Sequence, residues 1–326
     1  MSRIAFIIFL TLGLLLTACD DSSTEPNEIP RFMVLDMEPS WSPDGERIIY
    51  YHRQFYDCEG NLTPDTSGLY MIKSDGSNKT LFIPGFFNNP DWAPDGEWVA
   101  FGSGAQIFKI KSDGDSLAQL TFQGRNFFPA WSPDRQTIAY SRSICAGDTT
   151  CGLWVTDFVD SKNSFLVEYA NYPDWHPTGN KILYSIRAVT KLGNVLGDSL
   201  WLFDLEDSSR GFLAFLSDMN YDNRYFKYSQ DGEMILFVSQ PYASFPQLWK
   251  MGSDGENKKQ LTSNGGWTGD WSPEAQQIVF TNPENGRLWL MDSDGSNWSQ
   301  LTYPENDSIC IPERVRCPDN EPCPGF

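Results

Sequence analysis

The strongest constraint on this chain is an internal repeat. A two-part pattern recurs six times along the 326 residues. Its first half reads PSWSPDGERIIYY from Pro39, PDWAPDGEWVAFG from Pro90, PAWSPDRQTIAYS from Pro129, PDWHPTGNKILYS from Pro173, FKYSQDGEMILFV from Phe226 and GDWSPEAQQIVFT from Gly269. Its second half reads LYMIKSDG from Leu69, IFKIKSDG from Ile107, LWVTDFVD from Leu153, LWLFDLED from Leu200, LWKMGSDG from Leu248 and LWLMDSDG from Leu288. Trp41, Trp92, Trp131, Trp175, Tyr228 and Trp271 mark the copies, at intervals of 51, 39, 44, 53 and 43 residues. A unit of this size cannot bury its own apolar face and must stack on its neighbours, and the interval suits one four-stranded propeller blade.

The chemistry of one copy points to four strands. An inner strand ends at the Trp, and Ser42-Pro43-Asp44-Gly45 then forms a turn in which Pro fixes φ and Gly relieves the last position. Ile48-Ile49-Tyr50 is apolar on both faces, as a strand covered on either side by other blades must be. Leu288-Trp289-Leu290-Met291 runs into the Asp294-Gly295 turn, and Gln300-Leu301-Thr302 completes the unit. No copy carries a helical period. The expected architecture is all-β, a six-bladed β-propeller of four-stranded antiparallel blades over residues 32–303.

These motifs resemble the TolB-like six-bladed β-propeller, a distant relative of the WD-repeat proteins, from Phe32 to Thr302. The resemblance specifies a fold far better than a function, because propellers host unrelated activities. TolB proteins carry an α/β domain ahead of the propeller, which residues 19–31 are too short to form, so a TolB-type role in the Tol-Pal system is not expected.

In such a blade the turns joining strands one to two and three to four leave on one face, here as the tight SPDG-like and SDG-like turns. The two-to-three loops and the blade-to-blade segments leave on the other and are long and unequal, including 52–68, 142–152, 187–199 and 239–247. Elaborated loops on a rigid scaffold are where binding usually resides. The blade-to-blade segments are also rich in aromatic and Arg side chains, the usual hot-spot anchors. The expected partner site therefore comprises Phe86, Phe87, Arg125, Phe127, Tyr172, Arg224, Tyr225 and Trp267, recognising an envelope protein, peptide or glycan.

The N-terminus follows a different logic. Arg3 precedes an apolar run from Ala5 to Leu16, then Leu16-Thr17-Ala18-Cys19 and an acidic stretch. This resembles a bacterial lipoprotein signal: residues 1–18 would be removed, and Cys19 would become the lipidated N-terminus at a membrane surface, facing periplasm or exterior. Residues 19–31 then read as the lipidated Cys with an acidic tether, and 304–326 as a Cys-containing tail. Six further cysteines in an exported chain favour disulfides. Cys145 and Cys151 are expected to pair across a short loop; Cys58 is expected to pair with one of Cys310, Cys317 and Cys323, and the other two with each other.

Composition narrows the functions. With 24 Lys+Arg against 43 Asp+Glu the formal charge is −19, which disfavours nucleic acid, since binding it depends on a basic patch. Two His, His52 and His176, cannot supply the several metal-binding imidazoles of propeller lyases that resemble oligogalacturonate lyase. No G-x-S-x-G elbow or sialidase-type box occurs, and the 24 residues after Thr302 leave no room for the hydrolase domain of prolyl-oligopeptidase relatives. The SDG turns recur as standard hairpins, so neither calcium nor any other metal or cofactor is expected. The alternative to a binding or scaffolding module is a polysaccharide hydrolase or lyase using two carboxylates. Converging acids at a polysaccharide-sized cleft would favour that alternative, and an aromatic rim without them would favour binding.

Overall fold

A computed structural model describes residues 34–54, 67–143, 150–189, 195–216, 225–239 and 245–303. These residues form six four-stranded antiparallel sheets, each built from strands consecutive in the chain, arranged as a six-bladed β-propeller. The inner strands are Val34–Trp41, Asn88–Trp92, Arg125–Trp131, Ala170–Trp175, Phe226–Tyr228 and Gly269–Trp271. The outer strands are unequal: Thr80–Pro84, Asn163–Glu168 and Arg210–Leu216 in blades 1, 3 and 4, but only two residues each in blades 2, 5 and 6. Among the described residues there is no helix.

The repeat motif folds as its chemistry requires. In the first copy the Gly45 N–H donates to the Ser42 carbonyl, and the Ser42 hydroxyl accepts from the Arg47 N–H and donates to Asp44 at 2.5 Å. Gly45 sits at φ 72°, in the left-handed region where a Cβ is penalised. The second strand is buried on both faces, with Ile48, Ile49 and Tyr50 fully excluded from solvent. Apolar side chains between adjacent blades make the core: Trp175, Ile182 and Tyr184 of blade 4, for example, pack on Ala130, Ala139 and Leu153 of blade 3.

The ring closes without a shared strand. Blade 1 is made entirely from the N-terminal repeat and blade 6 entirely from the C-terminal one. Hydrogen bonds and packing across that seam replace the missing strand. The Asp36 N–H donates to the Gly286 carbonyl at 2.8 Å, and the Thr281 hydroxyl donates to the Asp36 carbonyl at 3.0 Å. The buried Asp36 carboxylate holds His52 Nδ1 at 2.6 Å, the Thr302 hydroxyl at 2.6 Å and Arg287 Nη1 at 3.3 Å. Trp41, Ile48, Val279 and Leu288 pack beneath these polar contacts.

One loop is shorter than the sequence suggests. Much of 187–199 belongs to an extended hairpin in blade 4, where Arg187 pairs with Asp198 and Ala188 with Gly197. The β-branched Val189 and the apolar Leu196 suit this extended pairing. Cys151 is disulfide-bonded. Cys19, Cys58, Cys145, Cys310, Cys317 and Cys323, the segment 1–33 and the tail 304–326 lie outside the described residues.

Candidate functional site

Two rings of side chains line the propeller axis, both set by the inner strands. The residue preceding each marker aromatic is Ser40, Asp91, Ala130, Asp174, Lys227 or Asp270. Acids thus occupy blades 2, 4 and 6, and the single cation comes from blade 5. Each acid bonds the backbone of the following blade: Asp91 Oδ2 accepts the Trp131 N–H at 2.8 Å, Asp174 Oδ2 the Tyr228 N–H at 2.7 Å, and Asp270 Oδ2 the Trp41 N–H at 2.9 Å. Lys227 Nζ lies 2.6 Å from Asp91 and 3.4 Å from Asp174.

Burial sets the protonation of this cluster. It pushes Asp174 up to about 7 and Asp270 up to about 6; Lys227 and a backbone N–H pull the other way, and the neighbouring carboxylates add to the rise. Burial alone would lower Lys227, but the surrounding acids hold it well above its ordinary value. Near neutral pH Asp174 is therefore partly protonated, and Asp270 less so.

The second ring lies three residues before each marker: Glu38, Asn89, Phe128, Tyr172, Tyr225 and Thr268. The first five adopt left-handed backbone, at φ 54°, 47°, 57°, 53° and 98°. Bulges accompany them in blades 1, 2, 3 and 4, where the pairing of inner and second strands shifts register. Such conformations are disfavoured for bulky residues, so recurrence at one repeat position marks a built feature of the inner strand. The Phe128 and Tyr172 rings approach to 4.3 Å, and Glu38 accepts the Asn89 N–H at 2.5 Å. Burial pushes Glu38 up to about 7, against the lowering effect of that N–H. Burial likewise raises Tyr172 to about 12.

The space along the axis is uneven. Around Asn89, Phe128, Tyr172, Tyr225 and Lys227 only about 20 Å³ remains. On the tight-turn side the axis opens into a funnel of about 410 Å³. Its wall is the six marker aromatics, its rim includes Pro43, Pro94, Pro133, Pro177, Gln230 and Pro273, and its floor is Asp91, Asp174, Lys227 and Asp270. The indole N–H groups of Trp175 and Trp271 donate to the Ala130 and Lys227 carbonyls. Those of Trp41, Trp92 and Trp131 are buried in the same wall without an acceptor.

The residues expected at the loop-rich face are distributed unevenly. Tyr172 and Tyr225 meet at the axis beside Phe128. Phe127 is half-buried, with its ring 6.2 Å from that of Phe128. Phe86 is 60 % exposed, whereas Phe87 packs edge-on against Phe101 at 5.1 Å and belongs to the core between blades. Arg125 is exposed at the start of its strand; Trp267 is half-buried, its backbone N–H donating to the Thr281 carbonyl. Arg224 lies outside the described residues. The charged ring of Asp91, Asp174, Lys227 and Asp270 was absent from those expectations, and of the second ring only Tyr172 and Tyr225 were among them. The signal of the charged ring was present in the aligned repeats, as charged residues beside the marker aromatic in a strand otherwise destined for burial.

Three carboxylates do converge, but at an axial funnel and with an oxygen of each engaged by a neighbouring backbone N–H. Among the described residues no group of three or more His, Cys, Asp or Glu could hold a metal ion. His52 is committed to Asp36, and His176 shares a turn with Thr178 at 2.8 Å.

Comparison with known proteins agrees with this architecture. TolB from Acinetobacter baumannii superposes with a TM-score of 0.63 at 20 % identity, over 77 % of this chain and 62 % of that one. The fold is that of the TolB propeller. No family model matches the sequence. An uncharacterized peptidase of Bacillus subtilis, YuxL, is 28 % identical over 118 residues, which is 34 % of this chain and 18 % of that protein. Uncharacterized protein Atu1656 of Agrobacterium fabrum is 25 % identical over 177 residues, 48 % of this chain and 57 % of the other. The aligned segments thus span less than two thirds of either curated relative.

Proposed function

We propose that the protein is a lipid-anchored binding module of the cell envelope and that its propeller receives a protein or peptide segment in the axial funnel. The observation carrying this reading is the funnel itself, a cavity of about 410 Å³ walled by every blade at the tight-turn end of the axis. Pro and aromatic side chains around a floor of both charge signs suit an extended segment that carries apolar and polar groups together. The TolB-like fold supports a binding role, and the N-terminal Cys motif supports an envelope location. The loop-rich face, with Arg224 and Trp267, is the second surface through which a partner would be held.

The test places a photo-crosslinking amino acid at Gln230 on the funnel rim, at Trp267 on the loop-rich side and at Phe212 on an outer strand. A partner captured from position 230, with little from position 212, is the expected result. Capture from 267 alone would move the site to the loop-rich face, and equal capture from all three would remove the funnel from consideration. Cys19→Ala, followed through metabolic labelling with a palmitate analogue and membrane fractionation, checks the anchor: label and membrane association should both disappear.

A catalytic reading draws on one observation, the juxtaposition of Asp174, held near 7, with Asp91 across a shared lysine. A raised acid beside a second carboxylate is the pattern of glycoside hydrolysis. The engagement of each acid with a neighbouring blade favours a structural role instead. Hydrolysis or elimination of an envelope polysaccharide by the wild type, abolished in Asp174→Asn, would reverse that judgement.

A further inference from the structure

A second site is carried by a buried cation at the loop-rich end of blade 3. Arg142 is 5 % exposed and lies near the end of the strand Thr137–Ser143. Its guanidinium stacks on the Trp154 ring at 3.9 Å. Nε donates to Asn126 Oδ1 at 2.9 Å and Nη2 to the Tyr140 hydroxyl at 3.2 Å. Both acceptors are neutral and are themselves fixed: Asn126 donates to Gln106 and to the Gln123 carbonyl, and the Tyr140 hydroxyl donates to Asn163 at 2.7 Å. Gly124, at φ 72°, leaves the space for the Arg stem, since a Cβ there would stand 2.7 Å from Arg142 Cδ.

Among the described residues no carboxylate pairs with Arg142. The other buried cations behave differently. Arg287 is matched by Asp36, and Lys227 by Asp91 and Asp174. A buried charge is costly unless paired, and a chain with 43 acids against 24 bases does not lack candidates. Of the five N–H donors of a guanidinium, these contacts use two, and among the described residues no side chain or carbonyl engages Nη1. What remains is a rigid, aromatic-backed donor edge, and such an edge matches a planar carboxylate. Arg125, exposed and paired in register with Ser143, brings a second cation to the same end of the sheet.

We propose that Arg142 anchors a carboxylate-binding site on the loop-rich face of blade 3, one that takes the acidic side chain or the C-terminal carboxylate of a peptide. This site is separate from the funnel and does not depend on the reading given to it. The test follows the Trp154 indole N–H resonance while the full chain is titrated with four probes. N-acetyl-glutamate methylamide offers a side-chain carboxylate, N-acetyl-glutamine a terminal one, N-acetyl-glutamine methylamide neither, and inorganic phosphate a tetrahedral anion.

A saturable shift with at least one carboxylate and none with the neutral amide is expected, and which carboxylate responds identifies the source. Arg142→Lys, which keeps the charge and loses the planar fork, should weaken the response about tenfold, a free-energy difference of about 1.4 kcal/mol. Arg142→Met should abolish it while the other indole resonances remain dispersed. Absence of any saturable carboxylate shift in the wild type overturns the proposal, as does an undiminished response in either variant or a response to phosphate alone. Residues 144–149, outside the described residues, include one acid, Asp148. Should Asp148→Asn show a carboxylate response that the wild type lacks, the guanidinium serves Asp148 and the proposal falls.

Discussion

The seam between blades 1 and 6 and the axial floor each bury carboxylates, yet their acids move in opposite directions. At the seam, burial would raise Asp36, but the hydrogen bond and charge of His52, with Lys79 and Arg287, hold it at about 2. On the axis, burial prevails and Asp174 rises to about 7, because one ammonium is shared among several acids. The difference lies in the supply of donors around each group rather than in depth. A carboxylate surrounded by its own cation, imidazole and hydroxyl remains ionised, whereas acids sharing a lysine take up protons.

The largest effect is expected at the seam. Asp36→Ala leaves Arg287, His52 and Thr302 without their acceptor in a ring that has no strand shared between its first and last blades. Breaking a buried ion pair from one side costs about 3–5 kcal/mol, and urea denaturation at neutral pH should show a loss of that order. The same residue gives an acid limb to stability. Its folded pKa lies below the unfolded value of 3.8, so its contribution is present above that pH and is lost as pH falls toward about 2. Asp36→Asn should flatten this limb. An unchanged acid limb would show that the seam is held by packing alone.

Lys227→Met comes next. It removes the only cation from a floor of three acids, so the acids must protonate or repel one another. We expect a loss of about 2–4 kcal/mol near pH 8, shrinking substantially by pH 5, where Asp174 and Asp270 are neutral. A loss independent of pH would mean that the lysine acts through its stem rather than its charge, and the contrast with the seam would collapse.

These two regions also differ in how far they could be read from sequence. Six in-phase repeats made the blades, turns and doubly buried second strands legible, because the turn chemistry of Pro, Asp and Gly and the marker Trp recur at fixed positions. The aligned motifs PDW, FKY and GDW likewise displayed the charges of the axis, but only a closed ring brings residues 91, 174, 227 and 270 together. The seam was less accessible still: Asp36 and Thr302 are 266 residues apart. Aromatic richness was a coarse guide to binding, since Phe87 supports the interior while Phe128 and Tyr172 meet at the axis. Arg142 had no sequence signature, because the missing counterion that distinguishes it is a property of its folded surroundings.

The smallest and most discriminating change is Asp174→Asn. The amide retains the shape of the side chain and an oxygen for the Tyr228 N–H, but it does not titrate. In the wild type the folded pKa, about 7, lies above the unfolded value, so the contribution of Asp174 is full below about pH 3.8 and declines as pH rises toward 7. While the carboxyl is neutral in the fold and ionised in the unfolded chain, that decline is at most about 1.4 kcal/mol per pH unit. Between pH 5 and 7 the variant should therefore lose less stability than the wild type and reach parity or better at the upper end, despite a deficit of about 1 kcal/mol at pH 5 from imperfect hydrogen bonding. Parallel pH profiles for the two proteins would show that Asp174 is ionised throughout, paired as firmly by Lys227 as Asp36 is by its own partners, and that the axial floor is a charged surface at every pH where the protein folds.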